Sequence, residues 1–388
     1  MIPRPLAIRI IIFFGFVSLF ADATYEGARS LHGPFLLSLG ASATSVGLIA
    51  GVGELIGFGL RLASGLLADR SKRYWTLTML GYGVNVIAVP LLAFAPDWRT
   101  VALLVILERT GKSVRAPARD VMLSQAATAV GSGWGFGLHA AMDQIGAVLG
   151  PLLVAAIQAS RGNFRDAFLW LAVPALVTMG LLVAAKISYP PEASAADALT
   201  SAKSTTKYPN EFWIYVGAAA CLALGYADFA IIGYHFMKVQ IATPAAIPLF
   251  YALAMAVNAF GALAFGKWYD KQGIIALVGG TLIAAVSLPL CFLGGYSWAI
   301  AGMIAWGAGM GAIDSILRAG ISKLVSMNKR GTAFGVFNAA YGLAWFVGSV
   351  VMGRLYDWNI QAVVWFGVTA QIAAAAVFLW FRSRTEQH

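Results

Sequence analysis

The sequence predicts an all-α integral membrane protein of about twelve transmembrane helices, built as two related halves. Three observations predict it. The chain is 60% hydrophobic and only 11% charged, whereas a soluble domain carries roughly 25% charged residues. Its apolar runs are continuous and reach about 20 residues, the length that crosses a bilayer as a helix. A β-barrel would alternate apolar and polar residues instead. Finally, motifs of the first half recur in the second in the same order, the mark of an internal repeat. A chain of 388 residues holds about twelve such spans with short loops between them.

The formal net charge is +10. No basic patch interleaved with aromatics occurs in a soluble segment, which argues against a nucleic-acid partner. The cations sit in short polar segments: Arg70, Lys72 and Arg73; Lys203 and Lys207; Lys267 and Lys271; Lys329 and Arg330. Such segments stay on the cytoplasmic side. Both termini are therefore expected in the cytoplasm, and the protein in the plasma membrane, the inner membrane of a bacterium. Arg99, Arg161, Arg165, Lys238 and Arg354 fall at the other side. Cys221 and Cys291 lie in apolar runs and read as small buried residues. Arg4 and Arg9 ahead of an apolar run, with Ala21-Asp22-Ala23 after it, resemble a signal peptide. The acidic and basic cluster that follows favours an uncleaved first span.

In chain order, span 1 covers 7–37 and carries Asp22, Glu26 and Arg29. After a turn at 39–42, span 2 (43–64) holds Glu54 and Arg61. The polar stretch 65–74 is expected to be a loop short enough to make its flanking helices antiparallel neighbours. Span 3 (75–95) is apolar. Span 4 (100–123) is dense in charge, with Glu108, Arg109, Lys112, Arg115, Arg119 and Asp120. Span 5 (134–159) carries His139, Asp143 and the run Gly146 to Pro151, and span 6 covers 167–187. Residues 188–211, rich in Pro, Ala, Ser, Thr and Lys, read as a cytoplasmic linker between an amino-terminal half, 1–187, and a carboxy-terminal half, 212–388. Span 7 (212–237) holds Asp228, Tyr234 and His235. Spans 8 (245–265) and 9 (274–293) flank a second polar stretch. Span 10 (298–324) carries Asp314 and Arg318, span 11 (333–351) Asn338, Tyr341 and Trp345, and span 12 covers 362–381.

The repeat is visible in residues. Gly65-Leu-Leu-Ala-Asp69-Arg70 finds a weaker copy in Gly266-Lys-Trp-Tyr-Asp270-Lys271. Gly137 and Gly335 stand at the same offset as Gly150 and Gly348, and Ala21-Asp22 pairs with Ala227-Asp228. The string Gly65-x-Leu-Ala-Asp69-Arg70-x-x-Arg73 resembles the hallmark loop of the major facilitator superfamily, with Lys72 where that family usually has glycine. Gly146-x-x-x-Gly150-Pro151 resembles the fifth-helix motif of its drug:proton antiporters, though Leu152 and Leu153 stand where two glycines are usual. Arg109 is similar to a fourth-helix arginine linked there to proton coupling. The resemblance implies two six-helix bundles around a central cavity that alternates its opening between the two sides. It also implies a conformational latch: Gly65, Asp69, Arg70 and Arg73, with Gly266 and Asp270 as the copy. Asp69 would face the start of the eleventh helix, and Arg70 or Arg73 would pair with Asp120.

Charged side chains inside spans carry the functional expectations, because each costs about 2.5–3.5 kcal/mol in lipid even on the gentlest scale and must face protein or water. Asp22, Glu26 and Arg29 share one helix face, as do Glu108, Lys112, Arg115 and Arg119. Each set reads either as a structural ion-pair network or as a substrate and proton site. Within the second set, Glu108 and Lys112 are expected to neutralise each other. Burial makes a carboxylate hold its proton more tightly, which suits Glu26 to proton exchange. An arginine at mid-depth, such as Arg109, can clamp a carboxylate or phosphate. His139 and Asp143 are one helical turn apart and form a candidate proton-sensitive pair. Glu54, Asp228, Tyr234, His235, Asp314, Arg318, Asn338 and Tyr341 complete the candidate site. Gly146 and Gly150 allow close helix approach, and Pro151 is expected to kink its helix. No phosphate-binding Gly-x-x-x-x-Gly-Lys-Ser/Thr string occurs, and no metal spacing, so neither a cofactor nor a metal is expected, nor an enzyme. The expected function is a proton-coupled secondary transporter exporting a small organic molecule, working as a monomer. The alternative is a proton-coupled symporter or exchanger of an organic anion.

Overall fold

The computed structural model describes residues 4–189, 208–326 and 330–385. Most of the expected linker, with Lys203 and Lys207, lies outside the described residues, as does Lys329. Among the described residues the chain is helical throughout, without strands. Its helices are α1 (Arg4–Arg29), α2 (His32–Ser38), α3 (Ala43–Ser71), α4 (Tyr74–Leu91), α5 (Trp98–Thr128), α6 (Ser132–Arg161), α7 (Phe164–Trp170) and α8 (Ala172–Ser188). There follow α9 (Asn210–Leu224), α10 (Phe229–Lys238), α11 (Ile247–Gln272), α12 (Ile274–Leu293), α13 (Tyr296–Leu324), α14 (Arg330–Trp358) and α15 (Ile360–Thr385). Among the described residues eleven helical stretches are long and apolar enough to cross a membrane. The twelfth, α5, has 31 residues but too many charges to pass as apolar.

Three expected spans are each two helices, and two of the breaks have a proline behind them. A proline ring inside a helix clashes with the carbonyl four residues earlier. Pro34 meets that of Ser30, and the chain breaks between α1 and α2. Pro174 meets that of Trp170, where α7 ends. The third break, at Gly225 to Asp228, has no proline; the Asp228 Oδ1 accepts from the Ala230 N–H at 2.9 Å and caps α10. Pro151, by contrast, lies inside α6, which continues as one helix through it.

The signature stretch is a correction to the loop expectation. Helix α3 continues through Ser71, so Gly65, Asp69 and Arg70 are helical and only Lys72 and Arg73 connect to α4. The second copy behaves alike: Gly266 and Asp270 belong to α11, and Gly273 alone separates it from α12. Lys72 has φ +54° and Gly273, at the same place in the copy, φ +60°. Positive φ costs a side chain roughly 1 kcal/mol that glycine does not lose. The glycine usual at position 72 of the resemblance thus has a backbone reason, and this chain holds a lysine there against it. The Gly353 to Trp358 stretch, expected beyond span 11, is likewise the last part of α14.

Two compact units result. The first comprises Met1–Leu39, Ile56–Leu199 and Pro244–Ala252; the second comprises Gly40–Leu55, Thr200–Thr243 and Leu253–His388. Helices α3 and α11 therefore each contribute to both. Within the first unit α6 lies on α1 backbone to backbone: a Cβ on Gly146 would stand 2.2 Å from the Leu19 carbonyl oxygen, and one on Gly150 2.1 Å from that of Ala23. Within the second, a Cβ on Gly348 of α14 would stand 2.2 Å from the Leu224 oxygen of α9. Small residues let helices approach this closely, and in lipid that packing is what holds helices together.

Candidate functional site

In the first unit α1 and α5 run antiparallel and carry polar groups one turn apart, so their side chains meet as rungs. Ser18, Asp22 and Glu26 succeed one another at i+4 along α1. Their counterparts on α5 run in the opposite direction. Arg119 Nη1 donates to Ser18 Oγ at 3.1 Å, Arg115 Nη2 lies 3.7 Å from Asp22 Oδ1, and Lys112 Nζ lies 3.9 Å from Glu26 Oε1. Asp22, Glu26 and Arg115 are buried, Arg115 at 2% exposure. Aromatic faces cover the cations: Lys112 Nζ stands 3.8 Å from the Tyr25 ring centroid, and the Arg115 guanidinium 4.0 Å from that of Tyr82. A cation over a ring face is stabilised by the ring quadrupole, the more so away from water. The Tyr251 hydroxyl, from α11, donates to Glu26 Oε2.

Beyond Lys112 the expected Glu108–Lys112 pair does not form. Glu108 is held by Asn85 of α4, whose Nδ2 donates to its Oε1 at 2.7 Å, and by Arg109 Nε at 3.2 Å. Lys112 is taken by Glu26 instead, because the α1 face presents a carboxylate to it. Arg29 is half-buried near the same end of α1.

At the Ser18 rung the network branches to α6. His139 Nε2 lies 3.3 Å from Ser18 Oγ and 3.6 Å from Asp143 Oδ1, and the Tyr82 hydroxyl lies 3.2 Å from Ser18 Oγ. His139 Nδ1 and Asp143 Oδ1 have no hydrogen-bond partner. Asp120, expected to pair with Arg70 or Arg73, is taken by its neighbour Arg119 at 2.9 Å. Asp69, Arg70 and Arg73 are exposed. Asp97, in the turn before α5, caps that helix: its carboxylate accepts from the Thr100 N–H at 2.9 Å and the Arg99 N–H at 2.8 Å. The Thr100 hydrogen bond, foremost, holds the Asp97 carboxyl below the usual carboxylate range.

The second unit brings its candidates together differently. Asp228 serves as the α10 cap described above. Tyr226, two residues earlier, donates its hydroxyl to the Trp306 carbonyl, and Trp306 Nε1 donates to the Ala227 carbonyl at 2.9 Å. The Tyr226 ring packs against Trp306 and Trp345, and Trp345 against Tyr341, which stacks on Phe337. Asn258 Nδ2 reaches Asp314 Oδ2 at 3.3 Å. Asp314 and Arg318 are exposed, Asn338 half-buried and Glu54 buried. Tyr234 and His235 lie apart from this wall, at the end of α10: the Tyr234 hydroxyl donates to the Ala41 carbonyl at 3.3 Å, and His235 Nδ1 lies 2.9 Å from the Tyr356 hydroxyl.

Sequence reasoning missed Ser18, Tyr25, Tyr82, Asn85 and Tyr251. Asn85 had a signal, a lone amide in an apolar run. The tyrosines had none, since an aromatic in a span usually packs. Among the described residues no three His, Cys, Asp or Glu side chains gather as a metal set.

The chain as a whole resembles known proteins. The family model described as Major Facilitator Superfamily matches residues 11–349. An uncharacterized protein of Mycobacterium bovis is 38% identical over 98% of this chain and 94% of its own length. An uncharacterized MFS-type transporter of Methanocaldococcus jannaschii is 24% identical over 94% of this chain and 93% of its own. Among solved structures, a mutant of the nucleoside transporter NupG superposes with a TM-score of 0.78 at 12% identity, covering 96% of this chain and 99% of that one. A mutant of the peptide transporter POT does so with 0.75 at 14%, covering 100% and 99%. At such identities the likeness is one of fold.

Proposed function

This chain belongs to the Major Facilitator Superfamily, and from that premise we propose a secondary active transporter that exports a small organic molecule in exchange for protons by alternating access. The observation that carries the reading is the α1–α5 ladder. Asp22 and Glu26 are buried inside membrane spans and faced by Arg115 and Lys112 at 3.7 and 3.9 Å. Those distances are those of charges that sense each other without closed hydrogen bonds. A proton taken up by either carboxylate weakens its rung, and a substrate charge can take the proton's place. Binding of the two is then coupled through one set of side chains. Asp143 and His139, joined to the ladder through Ser18, offer a second acceptor on the same route. Within the second unit, the aromatic cluster of Tyr226, Trp306, Tyr341 and Trp345, with Asp314 and Arg318 on the same elements, is a second, less polar candidate binding surface. The stretch Gly65 to Arg73 and its copy at Gly266 and Asp270 act as the conformational latch. The protein works as a monomer in the bacterial inner membrane with both termini cytoplasmic.

The test is transport in proteoliposomes of labelled metabolites and drugs, with and without an imposed pH gradient. Glu26→Gln is expected to abolish the proton-driven component. Full activity in that variant removes Glu26 from the mechanism. One observation favours a second reading, symport or exchange of an organic anion: Arg115, almost wholly buried, has Nε and Nη1 without hydrogen-bond partners. Either N–H group can donate a charge-assisted hydrogen bond to an anionic oxygen. Uptake that rises with an inward proton gradient selects this reading over export.

A further inference from the structure

The Ser18 hydroxyl, fully buried on α1, is reached from three other helices at once. Arg119 Nη1 of α5 lies 3.1 Å from its Oγ, the Tyr82 hydroxyl of α4 3.2 Å and His139 Nε2 of α6 3.3 Å. The last two lie just beyond the usual range. A hydroxyl offers one O–H and two lone pairs, so the directions of these bonds can be counted. Arg119 is always charged and only donates, and it takes one lone pair. One lone pair and one O–H remain for Tyr82 and His139.

Two arrangements use them. In the first, Tyr82 donates to Ser18 and Ser18 donates to His139 Nε2. The imidazole is then neutral and carries its hydrogen on Nδ1. In the second, His139 Nε2 carries a hydrogen and donates to Ser18, which turns its own O–H to the Tyr82 oxygen. The Tyr82 hydrogen then loses its acceptor, because Ser18 is the one hydrogen-bond partner of that hydroxyl among the described residues. His139 Nδ1 is buried and has no hydrogen-bond partner in either case. A neutral imidazole thus leaves one buried polar group unserved in the first arrangement and two in the second, and each such group is costly. An imidazolium has hydrogens on both nitrogens and permits only the second.

The surroundings of His139 are charged. Asp143 Oδ1, one turn along α6, stands 3.6 Å from Nε2 and has no hydrogen-bond partner. The Asp143 side chain is 25% exposed against 5% for His139, so a proton reaches the pair at Asp143. Arg119, Asp120 and Arg115 face His139 from α5, and Asp22 faces Asp143 from α1. On the other side of Ser18, the Tyr82 ring carries the Arg115 guanidinium at 4.0 Å, and Arg115 Nη2 faces Asp22 at 3.7 Å. A hydroxyl with two possible directions therefore stands between the α6 pair and the cation of the Asp22 rung.

We infer that Ser18 holds neutral His139 as the Nδ1–H tautomer, and that protonation of His139 turns the Ser18 hydroxyl from His139 to Tyr82, signalling the charge on α6 to the Asp22–Arg115 rung. In that step the Asp143 carboxyl gives its proton to Nε2: one O–H bond breaks, one N–H bond forms, and the Ser18 and Tyr82 hydrogens only rotate. Ser18 is a positioning residue. That the signal serves proton-coupled transport rests on the reading above; the tautomer and the signal do not. The test is solid-state NMR of the full-length protein in lipid bilayers, with histidine labelled in 15N and tyrosine in 13C. Spectra of His139→Gln and Tyr82→Phe identify the two signals. At neutral pH His139 is expected with a protonated Nδ1 and a bare Nε2. Ser18→Ala brings in the Nε2–H form, and Ser18→Thr, which keeps the hydroxyl, restores Nδ1–H. On acidification the Tyr82 Cζ signal shifts as His139 takes up its proton, and Ser18→Ala loses that shift. A wild-type His139 with Nε2 protonated at neutral pH overturns the tautomer, whether or not any variant folds. A Tyr82 signal that moves alike in the wild type and in folded Ser18→Ala overturns the signal, as does a His139 that stays neutral throughout the acid range in which the protein remains folded. Both are read in protein that is not transporting, so their failure leaves the Glu26→Gln test standing, and failure of that test leaves them standing.

Discussion

A Cβ on Gly111 of α5 would stand 2.5 Å from the Asn85 nitrogen of α4; one on Gly309 of α13 would stand 2.6 Å from the Ala284 Cβ of α12. The two glycines stand at the repeat offset that relates Gly150 to Gly348, and at both the neighbouring helix leaves no room for a Cβ, backbone to backbone at Gly111 and against the Ala284 side chain at Gly309. At that offset too, Trp306 occupies in α13 the place of Glu108 in α5. In the first unit the position is a buried carboxylate held by Asn85 and Arg109. In the second it is an indole bonded to a backbone carbonyl and packed on Tyr226. Facing α1, α5 offers Lys112, Arg115 and Arg119, whereas α13 has Asp314 and Arg318 as its only charges before Lys323. Two copies of one scaffold thus keep the small residues that set backbone distance and differ in the side chains that set chemistry. Backbone approach is a property of the repeat; charge is a property of the site.

That contrast can be broken most directly at Arg115. Removing one member of a buried ion pair leaves its partner uncompensated, at about 3–5 kcal/mol. Arg115→Ala is therefore expected to be the largest loss in heat stability in detergent, and Asp22→Asn together with Arg115→Gln should recover much of it. Equal losses in the single and double variants would mean that Arg115 stabilises by packing and that the ladder is not electrostatic. The shared scaffold predicts a matched, smaller effect: Gly146→Ala and Gly348→Ala should each cost about 1–3 kcal/mol through overpacking, measured in the same way. A large cost at one and none at the other would show that the two seams are not equivalent. The smallest effect belongs to the turn where the copies differ as Lys72 and Gly273. Lys72→Gly is expected to raise stability by under about 1 kcal/mol, because the strain relieved is partly offset by glycine's greater freedom in the unfolded chain. A loss would assign the lysine side chain a bond that outweighs its strain.

Much of the fold was legible, for physical reasons. In lipid each span satisfies its own backbone hydrogen bonds, so length and apolarity suffice to find it, and 274–293 was read with the observed ends of α12. Where reading fell short, the cause was local. Polar residues at a membrane surface look like loop, yet Gly65 to Arg70 and Gly353 to Asp357 continue their helices, because nothing there breaks one. Of the candidate side chains, the charged sets on α1 and α5 were legible one helix at a time. Asp22, Glu26, Lys112 and Arg115 were each on the right helical face. Which carboxylate meets which cation was not, since Glu108 one turn from Lys112 looked the natural partner until Asn85 and Arg109 took it.

By itself the sequence determined that this chain is helical with about a dozen long apolar helices, that its motifs recur along it, and that its charges inside apolar runs must avoid lipid. Those follow from composition, spacing and the cost of desolvation, all of which act on the chain one segment at a time. Only the tertiary structure decided the antiparallel register of α1 on α5, the reach of Tyr251 to Glu26, and the meeting of Ser18 with Tyr82 and His139. Each joins residues far apart in sequence, and a contact of that kind depends on how whole helices slide and rotate against one another, which no local pattern records.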